Sequence, residues 1–332
     1  MSEPSPASPV LAPSSRAEGT GYCPPVVSVR ALAPAKINLS LRVRTLRPDG
    51  YHEITTVFQA VSLTDEVTVS EGDPGTGCTV VVSGDQAGLV PNGDANIVCV
   101  AARALAHHAG RAAPDIVIGI TKSIPVAAGM AGGSADAAAT LVALRRLWGL
   151  DVPDPTLAQL AAGIGSDVPF SLMGQIARGT GRGEKLTPVL SGAQLHWVVA
   201  LSEEELSTPS VYAEWDRLAR DGRLAPAADD DADDTELLRA LRGGDPRAIA
   251  RHLVNDLEPA ALALRPRLRG VLDAGAELGA LAGLVSGSGP TCVFLAEDRE
   301  GAIALAAEMA GTGLVRGVRH AVGPVPGARV AS

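Results

Sequence analysis

Two charged residues stand in stretches that otherwise carry no charge. Lys36 lies in "APAKINLSL" and Asp167 in "GIGSDVPFSL". A carboxylate without bulky neighbours can act as a general base, and an ammonium in apolar surroundings can hold a developing anion or keep a carboxylate ionised. The ordinary uses of such residues are a turn aspartate before Val-Pro and a solvated lysine at a strand edge. A third feature bears on the choice. The segment Pro125–Ala135, "PVAAGMAGGSA", follows the apolar run "DIVIGITKSI" and precedes an alanine-rich helix. A helix N-terminus offers unpaired N–H groups and the positive end of the macrodipole, and glycines let those amides approach an anion without Cβ obstruction. Phosphate is the usual guest. Close packing of helix on strand is the other use of the same glycines. No G-x-x-x-x-G-K-[ST] or G-x-G-x-x-G occurs, and the H-R-D and D-F-G landmarks of protein kinases are missing.

The elements that must position these residues follow from periodicity and punctuation. "VVSVRALAPAKINLSLRV" reads as two strands joined at Pro34, and "EVTVS", "CTVVVSG" and "DIVIGITKSI" as further strands. "NIVCVAARALAHHAG" has helical spacing and stops at Gly110; Asp136–Leu147 is a second helix, ended by Gly149 and Pro153. "PTLAQLAAGIG" is a third helix. After Pro188 the pattern restarts with the strand "LHWVVALS" and the helix "TPSVYAEWDRLAR". Helices near Thr235–Arg242 and Pro246–Leu253, the strand "GPTCVFLA" and the helix "REGAIALAAEMAG" complete the chain. Strands and helices mix in both halves, which predicts two α/β or α+β lobes joined near 185–190.

Composition limits the partners. The 332 residues carry a formal net charge of −9, against the basic stripes expected of a nucleic-acid surface. Asp229, Asp230, Asp231, Asp233 and Asp234 supply five of those charges in "AADDDADD", which reads as a solvated loop without catalytic duty. Cys23, Cys78, Cys99 and Cys292 form no C-x-x-C pair and read as small buried hydrophobes of a reducing cytoplasm. The N-terminal stretch, rich in Pro, Ser and Ala, reads as a disordered tail with no signal peptide. The longest uncharged stretch, Leu278–Ala296, is broken by "SGSGP", so no membrane partner is expected.

"PAKINL" (Pro34–Leu39), "PVAAGMAGGSADAA" (Pro125–Ala138) and "VSGSGPTCVF" (Val285–Phe294) stand in the order of the three motifs of the GHMP small-molecule kinases, and the chain resembles that family from about Val26 to Gly323. "RPDGYHEITTVFQAV" and "GIGSDVPF" narrow the resemblance to members acting on a cytidine-diphosphate sugar alcohol in the non-mevalonate route to isoprenoids. The resemblance implies a two-lobed α+β fold with the active site in the cleft. The N-terminal lobe would be ribosomal-protein-S5-domain-2-like, at 26–187 after a tail at 1–25. The C-terminal lobe would be ferredoxin-like, at 188–326, with an acidic loop at 225–236. It further implies ATP-dependent phosphorylation of the acceptor's 2-hydroxyl, giving the 2-phosphate and ADP, by a cytoplasmic enzyme using Mg²⁺.

By the same resemblance Asp167 is the catalytic base and Lys36 its neighbour. ATP would lie on Pro125, Val126, Ala127, Ala128, Gly129, Met130, Ala131, Gly132, Gly133, Ser134 and Ala135, with Asn96 and Lys122 at the adenine end. Asn38, Tyr51, His52, Phe58, Thr208 and Tyr212 would hold the acceptor, and Ser134 is a candidate ligand for Mg²⁺. "ARGTGRGEKLTP" reads as a structural turn from which Arg182 could contact phosphate. The family loop usually reads Gly-Leu-Gly-Gly-Gly-Ser-Ser. Ala131 therefore predicts a backbone angle that alanine tolerates, and Ala135 removes one hydroxyl. A GHMP kinase for another alcohol, such as homoserine or mevalonate, is opposed by "DGYHE". A nucleotide-binding regulator without catalysis is opposed by the presence of Lys36 and Asp167.

Tyr51 and Tyr212 match the family's aromatic clamp on cytosine, where stacking is worth about 1–3 kcal/mol per base. Tyr51→Ala is expected to weaken acceptor binding by about one to two orders of magnitude and to leave ATP affinity unchanged. Titration of the purified variant with each ligand checks both, and joint loss of the two affinities would assign Tyr51 to the fold.

Overall fold

The computed structural model describes residues 27–112, 114–224, 226 and 234–331. The expected tail and most of the acidic loop lie outside them. The first half of the chain forms strands β1 (Ser28–Leu46), β2 (His52–Glu71), β3 (Cys78–Gly84), β4 (Ile116–Lys122), β5 (Ile176–Thr180) and β6 (Lys185–Pro188). The second adds β7 (Leu195–Leu201), β8 (Val254–Asn255), β9 (Ala282–Val285), β10 (Cys292–Ala296), β11 (Gly317–Gly323) and β12 (Arg329–Val330). The helices are α1 (Ile97–His108), α2 (Gly132–Leu147), α3 (Asp154–Ile164), α4 (Val168–Met173) and α5 (Thr208–Arg220). They continue as α6 (Thr235–Gly243), α7 (Pro246–Ala250), α8 (Glu258–Leu264), α9 (Arg267–Glu277) and α10 (Arg299–Gly311).

One sheet runs β12-β1-β2-β4-β3, with β5 also on β2, β6 on β5 and β8 on β1; a second, antiparallel sheet runs β11-β7-β10-β9. The parallel β3–β4 pair is closed through α1, as a parallel pair requires a crossover. The sheets meet at a buried hydrogen bond, Trp197 Nε1 donating to Gln59 Oε1 at 2.7 Å. In α2 every residue from Ala135 to Leu144 is buried, so its alanines let the helix lie close to the sheet and to α1.

Three local readings of the sequence change. The chain passes Pro34 as a single strand, β1, because the register against β2 shifts between Pro34 and Ala35 and the bulge absorbs the missing N–H. Cys78 and Cys99 are joined by a disulfide, since α1 packs against the start of β3 and brings together residues 21 apart in sequence. Asp234 is buried, not solvated: Ser40 Oγ donates to its Oδ1 at 2.7 Å and Arg178 Nε lies 3.4 Å from Oδ2. A carboxylate held between a hydroxyl and a guanidinium can be desolvated. The last residue of the acidic run therefore anchors the start of α6.

Ala131 sets where α2 begins. It sits at φ 58°, ψ 35°, in the left-handed region that favours glycine, rather than at an angle open to alanine. Ala127 shares the strain at φ 53°. Ala131→Gly is expected to raise the unfolding free energy by about 1 kcal/mol, the order of the left-handed penalty. Denaturant unfolding at constant slope checks it.

Candidate active site

Alternation along β1 sorts its side chains. Ala35, Ile37 and Leu39 enter the hydrophobic core, while Lys36 and Asn38 turn to the opposite face and line a cavity of about 1190 Å³ bounded also by the glycine-rich segment, α5 and the 287–289 turn. Lys36 is nearly buried. Its Nζ donates to Asn38 Oδ1 at 2.8 Å, stands 3.9 Å from Asp167 Oδ2 and lies 5.5 Å from the centre of the Phe58 ring. Burial pulls the Lys36 ammonium below the ordinary lysine range, and the Asp167 carboxylate opposes that pull. Asn38 is itself fixed by donating to Thr56 Oγ1 at 2.8 Å. Asp167 stands at the start of α4, with Pro169 in the first turn, and its side chain is 28% exposed toward the cavity. The pair predicted from sequence is brought together.

The glycine-rich segment borders the same cavity, but its residues divide into different uses. Pro125, Val126, Ala127, Ala128, Gly129, Ala131, Gly132 and Gly133 line the cavity; Met130 is buried in the core, and neither it nor Ser134 or Ala135 lines the cavity. Gly129 serves packing. At φ 71°, a Cβ there would stand 2.0 Å from the Ser286 carbonyl oxygen. Gly132 is intermediate, since its Cβ would crowd Ile124 at 3.1 Å and Lys122 Nζ at 3.2 Å. Gly133 is open, with Ile97 the nearest neighbour at 3.7 Å, so nothing within the protein demands a glycine there. Gly132 and Gly133 open α2, where amide groups lack intrahelical partners.

Asn96 and Lys122 both line the cavity and are buried rather than surface polar residues. Asn96 caps α1, accepting from Val98 N at 3.0 Å and donating to Pro91 O at 2.7 Å. Lys122 Nζ donates to Asp65 and, at 2.8 Å, to Asp136 Oδ2. Burial alone would lower the Lys122 ammonium, yet the Asp136 and Asp65 carboxylates hold it above its ordinary value. Burial pushes the Asp136 carboxyl well up, against the pull of Lys122. Asp136 Oδ1 is buried without a hydrogen-bond partner among the described residues.

At the other end, His52 stacks on Tyr212, with ring centres 5.4 Å apart and planes at 14°, and meets Trp215 edge-on at 5.1 Å. His52 Nδ1 bonds to the Arg44 carbonyl at 3.0 Å and Nε2 lies 3.0 Å from Asp216 Oδ1. The Tyr212 hydroxyl is pushed up to about 12 by burial and by Asp167. Tyr51 is largely exposed at the rim of the cavity, under the Arg182 guanidinium at 4.8 Å. Phe58 packs on Phe170 at 4.9 Å, and Thr208 pairs its hydroxyl with Ser288 Oγ at 2.8 Å.

Gly287, Ser288 and Gly289 also line the cavity, although the sequence reading gave them no role of their own. Their signal was the paired glycines of "SGSGP". Asp65 and Asp136 were likewise missed, and Asp65 lies in a stretch, "SLTDEVTV", that reads as an ordinary strand end.

Residues 96–175 match the GHMP kinases N terminal domain and residues 237–313 the GHMP kinases C terminal domain. The chain is 55% identical over 307 residues to a 4-diphosphocytidyl-2-C-methyl-D-erythritol kinase of Nocardia farcinica, covering 92% of this chain and 97% of the relative. It is 51% identical over 311 residues to one of Mycobacterium tuberculosis, covering 93% and 94%. A crystal structure of a 4-(cytidine 5'-diphospho)-2C-methyl-D-erythritol kinase superposes with TM-score 0.69 at 34% identity, over 88% of this chain and 98% of that one. A homoserine kinase from Cytophaga hutchinsonii superposes with TM-score 0.71 at 21% identity, over 92% and 97%, which shows the shared fold alone. The two-sheet α+β architecture is the GHMP kinase fold, and the chain belongs to the 4-diphosphocytidyl-2-C-methyl-D-erythritol kinase family of GHMP kinases.

Proposed function

We propose that the protein transfers the γ-phosphoryl group of ATP to the 2-hydroxyl of 4-diphosphocytidyl-2-C-methyl-D-erythritol, giving the 2-phosphate and ADP in the non-mevalonate route to isopentenyl diphosphate. One observation carries this reading: the Lys36–Asp167 pair lines the same cavity as the glycine-rich segment and as Tyr51, Thr208 and Tyr212. Lys36 N also donates to the Met130 carbonyl of the glycine-rich loop at 3.1 Å. About 1190 Å³ exceeds the roughly 300–1,000 Å³ of a single-ligand site. That volume would admit a donor nucleotide and an acceptor together.

Phosphoryl transfer asks the protein for alignment and charge stabilisation. ATP phosphates would meet the free amides of Gly132 and Gly133 at the start of α2. The acceptor's base would stack at Tyr51 and Tyr212. Its hydroxyl would give its proton to Asp167 as the oxygen attacks the γ-phosphorus and ADP leaves. Lys36, 3.9 Å from Asp167, would stabilise charge on the oxygen. Mg²⁺ bound to ATP would neutralise the phosphates. Ser134 does not line the cavity. The residues present fit a hard cation instead through Asp136, because Asp65 and Asp136 share one ammonium and Asp136 Oδ1 lacks a partner among the described residues.

An acceptor screen with product mass read directly tests the reaction. The cytidine-diphosphate alcohol is expected to be phosphorylated, and homoserine and mevalonate are expected to fail. Lys36→Ala and Asp167→Asn are each expected to cut kcat by orders of magnitude with the fold kept. Near-wild-type turnover in both would remove them from the mechanism. Gly133→Ala separates ligand approach from packing, since a Cβ there meets only Ile97, at 3.7 Å. Its Kd for ATP is expected to rise at least tenfold at unchanged Tm.

A further inference from the structure

The cavity must hold two phosphates of the acceptor as well as three of ATP, and its cations are few. Lys36, Lys122 and Arg182 are the Lys and Arg side chains that line it. Lys36 is held by Asn38 and Asp167, and Lys122 by two carboxylates. The Arg182 guanidinium has no carboxylate within ion-pair distance and no hydrogen-bond acceptor among the described residues; its recorded contact is the Tyr51 ring at 4.8 Å. Asp49 lies near enough to feel its charge but is paired with Arg47 at 3.1 Å.

The turn that carries Arg182 is built to present it. Gly181 and Gly183 flank it at φ 76° and 101°. Gly181 N donates to Glu53 Oε1 at 3.0 Å and Arg182 N donates to Glu184 Oε2 at 2.6 Å, so both carboxylates hold backbone and leave the guanidinium free. The turn also reaches from Phe58 to Tyr51. A Cβ on Gly183 would meet the Phe58 ring at 3.2 Å, and Phe58 underlies Lys36 at the reacting end. The Arg182 side chain reaches Tyr51 at the base end.

We infer that Arg182 anchors the diphosphate of the acceptor, its planar fork stacked on one face of Tyr51 while its N–H groups meet phosphate oxygens between the base and the reacting hydroxyl. A guanidinium suits this place because it can stack on a ring and donate two parallel hydrogen bonds to a phosphate at once. It is a specificity-determining residue for the acceptor, and the assignment rests on the cytidine-diphosphate acceptor proposed above.

Titration with CDP and with cytidine isolates the phosphates from the base. Arg182→Gln is expected to raise the Kd of CDP at least tenfold, to change that of cytidine less than twofold, and to leave the KM for ATP unchanged. Arg182→Lys keeps the charge without the fork and is expected to fall between. Equal losses for CDP and cytidine in both variants would mean that Arg182 only supports the Tyr51 ring, and would overturn the assignment. A raised KM for ATP with CDP affinity intact would move the guanidinium to the donor side and overturn it equally. Failure of the unaltered protein to bind either probe would instead sink the cytidine reading itself.

Discussion

A buried lysine shared by two carboxylates fixes the geometry of the glycine-rich segment. Lys122 ends β4, Asp65 lies in β2 and Asp136 in the first turns of α2. Asp65 uses its second oxygen to accept from Ser123 N at 2.6 Å and Ile124 N at 2.8 Å. Both ends of the glycine-rich segment are therefore tied to one ion cluster, its entry through Asp65 and its exit through Asp136. Removing one partner from such a cluster leaves a desolvated charge, at a cost of about 3–5 kcal/mol. The loop between needs little stabilisation of its own. It can carry left-handed alanines at 127 and 131 because its ends are held from outside.

The wall of the cavity near Lys36 depends on a second approach of backbone to backbone. Gly129 meets the Ser286 carbonyl where no Cβ fits. Asn255 holds the 285–287 turn from the far side, donating to Val285 O and Gly287 O at 2.7 Å each. Two segments more than 150 residues apart are thus locked around Lys36. This explains why the second and third motifs read alike in sequence, small and glycine-rich: they are two walls of one contact. Packing and ligand access are not alternatives in this loop. A Cβ is excluded at Gly129 by the Ser286 carbonyl, whereas at Gly133 it would meet only Ile97 at 3.7 Å.

The amphipathic pattern of the chain determined most of the secondary structure, since strand alternation and helical spacing record burial directly. The motif order determined the family, the pairing of Lys36 with Asp167 and the glycine-rich loop as a cavity wall. Tertiary structure decided what depended on neighbours remote in sequence. Pro34 passes through β1 because β2 offers a bulge there. Cys78 finds Cys99 because α1 crosses back over β3. Asp234, the end of a run that looks solvated, is buried because Ser40 and Arg178 meet it from other elements. Lys122 is one of three members of an ion cluster whose other two nothing local announces. Composition and spacing report the average surroundings of a residue, whereas the partner that neutralises a buried charge is chosen by the fold.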